Sequence, residues 1–182
     1  MYFDRIFKIP AQGTKYYGFE FYGRCMNIKA KCTLEVGCGD GYISAWLAHA
    51  ARENGGKHFS IDNDWTKTEK LIKISRAWNY QENWSIITSD SLTVKMDRFK
   101  KGIDFIFIDT THTYEQTKAE IQYYSKYINI NGYMAFHDYY KEGSEVKKAC
   151  DKFLPSTQWE KIKNNDYNKH NYQCGVLICR RK

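Results

Sequence analysis

Only two prolines occur in 182 residues, and both stand at breaks. Pro10 interrupts the chain ahead of the first helical pattern and Pro155 closes the last one, so no proline-rich linker divides the sequence. The six cysteines, Cys25, Cys32, Cys38, Cys150, Cys174 and Cys179, include no C-x-x-C pair, which excludes the common structural zinc motifs. With no signal peptide ahead of them, they are expected to be reduced thiols of a cytoplasmic protein. No apolar run approaches the roughly 20 residues that a membrane span needs, so no membrane partner is expected. Basic runs are short and scattered: Lys100-Lys101, Lys147-Lys148 and Arg180-Arg181-Lys182. The formal charge of +7 and the pI near 9.0 therefore read as solvated faces on a chain rich in Lys, Asn, Tyr and Ile. Nucleic acid is not the favoured partner, although the charge leaves it open. The length fits one domain, 1–182, with a core of its own.

What is present centres on Thr33-Leu34-Glu35-Val36-Gly37-Cys38-Gly39-Asp40-Gly41-Tyr42-Ile43-Ser44. A short apolar run, three glycines at alternate positions and an apolar-periodic segment read as strand, tight loop and helix. Glycines let the backbone come close to a ligand, and the following helix begins with free N–H groups. The spacing is wrong for the dinucleotide fingerprint, which needs glycine where Tyr42 stands.

Upstream, residues 1–30 are rich in aromatics, and Tyr17, Phe21 and Cys25 recur at helical spacing between Thr14 and Ile28. This segment is expected either to cover a bound ligand or simply to pack on the sheet. Downstream, His58–Asp62 reads as the second strand, with Asp62 about 20 residues past the loop, where nucleotide-binding folds place a carboxylate for the ribose hydroxyls. Asp64 is placed to cap the helix from Thr66 to Trp78. Trp84–Asp90 is a third strand. Ile103–Asp109, nearly continuous in apolar β-formers, belongs at the centre of a parallel sheet. A helix carrying Ala119, Ile121, Tyr124 and Ile128 follows, and Asn131-Gly132 is expected to turn into a fifth strand, Tyr133–Asp138. A helix from Gly143 to Phe153 precedes two last strands, Trp159–Ile162 and Cys174–Cys179, joined by the polar loop Asn164–Asn171, the last strand antiparallel. The expected fold is thus α/β, a doubly wound seven-stranded sheet over 31–182.

The pattern Glu35-x-Gly37-x-Gly39-x-Gly41 resembles the first motif of the Rossmann-like, class I S-adenosylmethionine-dependent methyltransferases, and the order of elements extends the resemblance over nearly the whole chain. It implies S-adenosylmethionine as cofactor, held by Glu35, Gly37, Cys38, Gly39 and Gly41, by Asp62 at the ribose, by Ser89 and Asp90 at the adenine, and by Asp109. Helix capping by Asp90 or Ser91 is the rival reading there. Asp109-Thr110-Thr111-His112-Thr113-Tyr114 lacks both the Asn/Asp-Pro-Pro-aromatic turn of amino-methylating enzymes and the Pro-Cys of cytosine C5 enzymes. With His137-Asp138 it resembles the metal-dependent small-molecule O-methyltransferases.

That resemblance implies a divalent ion on Asp109, His137 and Asp138; His112, three residues after Asp109, is placed to be the general base, with Asp109 as the second catalytic residue. A bound cation lowers the pKa of a coordinated oxygen and fixes it for attack. Mg2+ or Mn2+ is expected. Histidine at 137 departs from the family's usual acid, which leaves Fe2+ or Zn2+ open as well. Capping, backbone bonding and plain burial are the structural alternatives for Asp109, His112 and His137. The iron-oxygenase triad ranks lower. The expected activity is methyl transfer to a hydroxyl of a small acceptor such as a sugar or natural product. A nucleic-acid methyltransferase and a non-catalytic cofactor-binding subunit are the alternatives. No large substrate domain is inserted, so a homo-oligomer that completes the site also stays open.

Overall fold

The computed structural model describes residues 2–10, 16–162 and 175–182. Its strands are β1 (Cys32–Val36), β2 (Lys57–Asp62), β3 (Trp84–Thr88), β4 (Ile103–Ile108), β5 (Ile128–Phe136), β6 (Trp159–Ile162) and β7 (Leu177–Arg181). Its helices are α1 (Tyr2–Ile6), α2 (Tyr17–Asn27), α3 (Tyr42–Glu53), α4 (Trp65–Ala77), α5 (Tyr114–Tyr124) and α6 (Glu145–Phe153). The strands form one seven-stranded sheet in the order β3-β2-β1-β4-β5-β7-β6. The five strands from β3 to β5 are parallel, and β7 runs antiparallel between β5 and β6. This is the doubly wound Rossmann-like sheet that the sequence predicts. The strand order reverses between β1 and β4, which opens a crevice at their carboxyl ends.

Side-chain alternation makes two apolar layers. Phe105, Phe107, Tyr133, Ala135 and Ile178 face the layer of α2 and α3, whereas Ile106, Ile108, Met134, Phe136 and Leu177 face that of α5 and α6. Phe21 on α2 sets its ring 4.9 and 5.1 Å from those of Phe105 and Phe107. No helix of the described residues is long and apolar enough to cross a membrane.

Three boundaries differ from expectation by more than two residues. The helix ends at Tyr124, a 3-10 turn spans Ser125–Tyr127, and Ile128 already pairs with Ile103. Asn131-Gly132 is consequently a bulge inside β5 rather than a turn before it. Asn131 takes the left-handed region at φ 66, and Asn129 Nδ2 donates to Asp104 Oδ1 at 2.7 Å, anchoring the bulge to β4. The last strand starts at Leu177 and runs to Arg181. The expected loop Asn164–Asn171, Cys174 and the start of the N-terminal helix at Thr14 lie outside the described residues.

Candidate functional site

The ladder carries one residue past each strand end. Gly37 N donates to Ile61 O, Asp109 N to Val36 O and Ser89 N to Asp62 O, each at 2.9 Å, and His137 N to Ile108 O at 3.1 Å. This shared register sets Gly37, Asp62, Ser89, Asp109 and His137 side by side along the carboxyl edge. Gly37 has φ 80, and a Cβ there would lie 2.0 Å from the Asp109 carbonyl oxygen. The loop crosses the end of β4 so closely that only glycine fits. Gly41, φ 85, turns the chain into α3, where a Cβ would press on Leu71 at 2.9 Å.

Asp62 clamps this loop. Its Oδ2 accepts from Cys38 N at 2.8 Å and its Oδ1 from Asp64 N at 2.9 Å. Asp64 caps α4, accepting from Thr66 N at 2.8 Å, as expected. Loop residue Asp40 is tied to Lys70 at 2.6 Å.

A cavity of about 310 Å³ opens over the crevice, lined among others by Gly37, Gly39, Asp62, Ser89, Asp90 and Asp109. Among the described residues the lining carries no lysine or arginine, so its charge is acidic. Asp90 closes a turn rather than capping a helix, its Oδ1 accepting from Leu92 N at 2.8 Å, and no helix of the described residues starts at Asp90 or Ser91.

Three residues expected to touch the cofactor stand behind this lining instead. Gly41 shapes the helix start. Cys38 is buried with its thiol on the Ile61 carbonyl, 3.2 Å away. Glu35 is buried beneath the loop, accepts from Ser44 Oγ, and so turns away from the cavity. From Ser44 a buried chain runs to Ser60 Oγ at 2.9 Å, His58 Nε2 at 3.0 Å and, from His58 Nδ1, Thr33 Oγ1 at 2.9 Å. Burial pushes the Glu35 carboxyl well up against the Ser44 hydrogen bond, helped by the charges of Asp109 and Asp62. It drives His58 down to about 3. Among the described residues, none of the aromatic segment 1–30 lines the cavity, and α2 packs on the sheet.

Across Asp109 lies a second cluster. His112 Nε2 is 2.8 Å and His137 Nδ1 3.2 Å from Asp109 Oδ1. Asp138 Oδ1 is 3.1 Å from His137 Nδ1, and its Oδ2 is 3.6 Å from His112 Nδ1. Among the described residues, the buried Nε2 of His137 has no hydrogen-bond partner, while its Nδ1 faces the two carboxylates. Burial would raise the Asp109 carboxyl, but His112, bonded to it, and the neighbouring His137 outweigh that and hold it below the usual carboxylate range. Burial works downward on His137, yet the Asp109 and Asp138 carboxylates push it above the ordinary histidine value.

The donor atoms that converge are those of Asp109, His112 and His137, within 4.8 Å of one another, rather than the expected Asp109, His137 and Asp138. His112 and Asp138 both sit in the left-handed region, at φ 59 and 58. Such strain in non-glycine residues is rare and concentrates at sites. It turns His112 back over Asp109, which no spacing rule reveals. Sequence reasoning also missed the lining residues Thr110, Thr111 and Gln116; their only signal is position beyond β4 and at the start of α5.

The profile of the family described as "Methyltransferase domain" matches residues 34–139. Among solved structures the chain is similar to the S-adenosylhomocysteine-bound methyltransferase PaMTH1 of Podospora anserina, with TM-score 0.73, 12% identity, and coverage of 91% of this chain and 78% of that one. It is similar to the O-methyltransferase TomG of Streptomyces achromogenes, in complex with S-adenosylmethionine, with TM-score 0.73, 13% identity and coverage of 94% and 87%. An rRNA methylase of Streptococcus thermophilus has TM-score 0.70, 13% identity and coverage of 88% and 93%. A curated relative, the uncharacterised protein R132 of Acanthamoeba polyphaga mimivirus, is 35% identical over 65 residues. That stretch is 35% of this chain and spans only 29% of the relative's length. With the profile spanning the glycine loop, the acids at the strand ends and the histidine cluster, the chain belongs to the Methyltransferase domain family of class I S-adenosylmethionine-dependent methyltransferases.

Proposed function

We propose that residues 1–182 act as one domain that moves the methyl group of S-adenosylmethionine to a hydroxyl of a small acceptor, with a divalent cation beside the cofactor. The observation that carries this reading is Asp109, which lines the cavity and also anchors the histidine cluster. The glycine loop lies under the methionine and ribose, Asp62 accepts from the ribose hydroxyls and Asp90 from the adenine amino group. An acidic lining suits a sulfonium cation, whose charge it stabilises where water is excluded.

Asp109, His112 and His137 fit a cation by their chemistry. His137 keeps a buried Nε2 without a partner, and the contacts of 2.8 and 3.2 Å are close to the roughly 3.0–3.4 Å between neighbouring ligands held about 2.1 Å from a metal. Two imidazoles and one carboxylate favour Zn2+, Mn2+ or Fe2+ over Mg2+. When bound, the cation supplies a lowered pKa to the acceptor hydroxyl. His112 and Asp138 then exchange the roles expected of them: His112 joins the ligands, and the Asp138 carboxylate, which lines the neighbouring cavity, receives the hydroxyl proton. A neighbouring cavity of about 160 Å³, lined by His112, Asp138, Lys141 and Ser144, is the place for the acceptor.

The test is transfer of labelled methyl to a panel of small hydroxyl acceptors, with calorimetry of S-adenosylhomocysteine alongside. Chelation is expected to stop transfer, Mn2+ or Zn2+ to restore it, and cofactor affinity to stay unchanged. Transfer that survives exhaustive chelation dismisses the metal. The net charge of +7 favours a second reading, methylation of RNA, for which oligonucleotide binding should fall steeply with salt.

A further inference from the structure

Gln116, Glu120 and Tyr124 follow one another at four-residue spacing on α5, so they lie on one stripe of the helix. That stripe grips the segment after β3. Tyr124 Oη donates to the Ser91 carbonyl, the Ser91 hydroxyl donates to Glu120 Oε1 at 2.8 Å, and Thr110 Oγ1 donates to Glu120 Oε2 at 3.0 Å. Gln116 Nε2 spends its two hydrogens on Ser91 Oγ and Glu120 Oε1, each at 2.9 Å. Ser91, Thr110 and Gln116 line the cavity beside Asp90, whereas Glu120 is fully buried behind them.

A carboxylate only accepts hydrogen bonds. Because Glu120 collects both hydroxyl hydrogens and one amide hydrogen, none of these hydrogens is left for the cavity. What the three lining side chains can offer a ligand is oxygen lone pairs: Ser91 Oγ, Thr110 Oγ1 and Gln116 Oε1. Asp90 adds a carboxylate to the same end.

We propose that Glu120 is a positioning residue that makes this end of the cavity an acceptor-only wall, and that the wall selects the 6-amino edge of the cofactor's adenine over a 6-oxo purine. This rests on the reading that an adenosyl cofactor occupies the cavity. An exocyclic amine donates into the wall; a 6-oxo group sets its own lone pairs against it, and a site built for a donor rejects the analogue lacking one.

The experiment compares S-adenosylhomocysteine with S-inosylhomocysteine by calorimetry on the full chain. It is run at pH 8, because burial pushes the Glu120 carboxyl up against its three hydrogen bonds. The unaltered protein is expected to prefer the adenosyl ligand roughly tenfold or more. Glu120→Gln brings an amide donor to the centre of the cluster and forces one hydrogen of Ser91, Thr110 or Gln116 toward the cavity. The preference should fall to within about threefold, chiefly through tighter binding of the inosyl ligand. A role in stability alone would weaken both ligands together and leave their ratio intact; an unchanged ratio in this variant overturns the proposal. If Glu120→Gln does not fold, Gln116→Leu on the half-buried edge of α5 removes one acceptor and is expected to lower the ratio in the same direction, with an unchanged ratio again overturning it. Equal affinities in the unaltered protein refute the wall alone, whereas no binding of S-adenosylhomocysteine at all refutes the cofactor reading beneath it.

Discussion

Asp62→Asn isolates the residue that joins the loop to the ligand. The two carboxylate oxygens accept from the backbone N–H groups of Cys38 and Asp64 at 2.8 and 2.9 Å. Asparagine keeps one acceptor and turns an NH2 toward the other backbone donor, so one charge-assisted hydrogen bond is lost and two donors face each other. A hydrogen bond to a charged group contributes about 1.5–3 kcal/mol. For a chain of this size, each kcal/mol lowers Tm by about 2–4 °C. The variant should therefore melt about 3–12 °C below the parent. In the ligand complex the same exchange removes an acceptor from the ribose hydroxyls and loosens the loop under them. Affinity for S-adenosylhomocysteine should drop roughly tenfold to a hundredfold, since 1.4 kcal/mol corresponds to a factor of ten. Calorimetry and thermal melting on the same preparation read both. Affinity within threefold of the parent, with Tm shifted by less than a degree, would refute the clamp and the ribose contact together.

Gly37→Ala must move the loop off the Asp109 carbonyl; the left-handed backbone alone costs about 1–2 kcal/mol, and denaturant unfolding should show at least that loss. Phe21→Ala, which empties the space against Phe105 and Phe107, should cost about 3–5 kcal/mol in the same assay. Buried His58, held down to about 3 from 6.5, stays neutral in the fold while the unfolded chain takes up a proton below pH 6.5. The contribution is therefore fully present above 6.5 and shrinks as pH falls, by about 2 kcal/mol at pH 5. Glu35, with its carboxyl raised, works the other way, its neutral form favouring the fold as pH falls toward 4.5. In a Glu35→Gln background the acid loss should stand out, and His58→Gln should remove it; equal pH slopes in the two would count against a neutral buried imidazole. Asp109→Ala removes the atom shared by both histidines, and calorimetric affinity for Mn2+ or Zn2+ should fall roughly tenfold or more.

Much of the architecture was legible because its signals are local. The apolar run of β4, the alternate glycines at 37, 39 and 41, and the acids closing β2 and β4 each follow from a few adjacent residues. Asn131-Gly132 misleads for the opposite reason. The same left-handed preference that makes a turn also makes a bulge, and only pairing with β4 and Asn129 reaching Asp104 decide between them. The aromatic content of residues 1–30 promised burial but no direction, and contact with Phe105 and Phe107 sends α2 to the sheet.

The sequence by itself determined the order of strands and helices, the glycine loop and the row of acids at the carboxyl edge, since periodicity, backbone freedom and strand-end chemistry are written within short windows. Only the tertiary structure decided that Glu35 lies beneath the loop, that His112 rather than Asp138 converges with Asp109 and His137, and that Glu120 orders three lining side chains. Those outcomes depend on left-handed turns and on hydrogen bonds between residues up to 29 positions apart, whose direction follows from which groups the fold buries together.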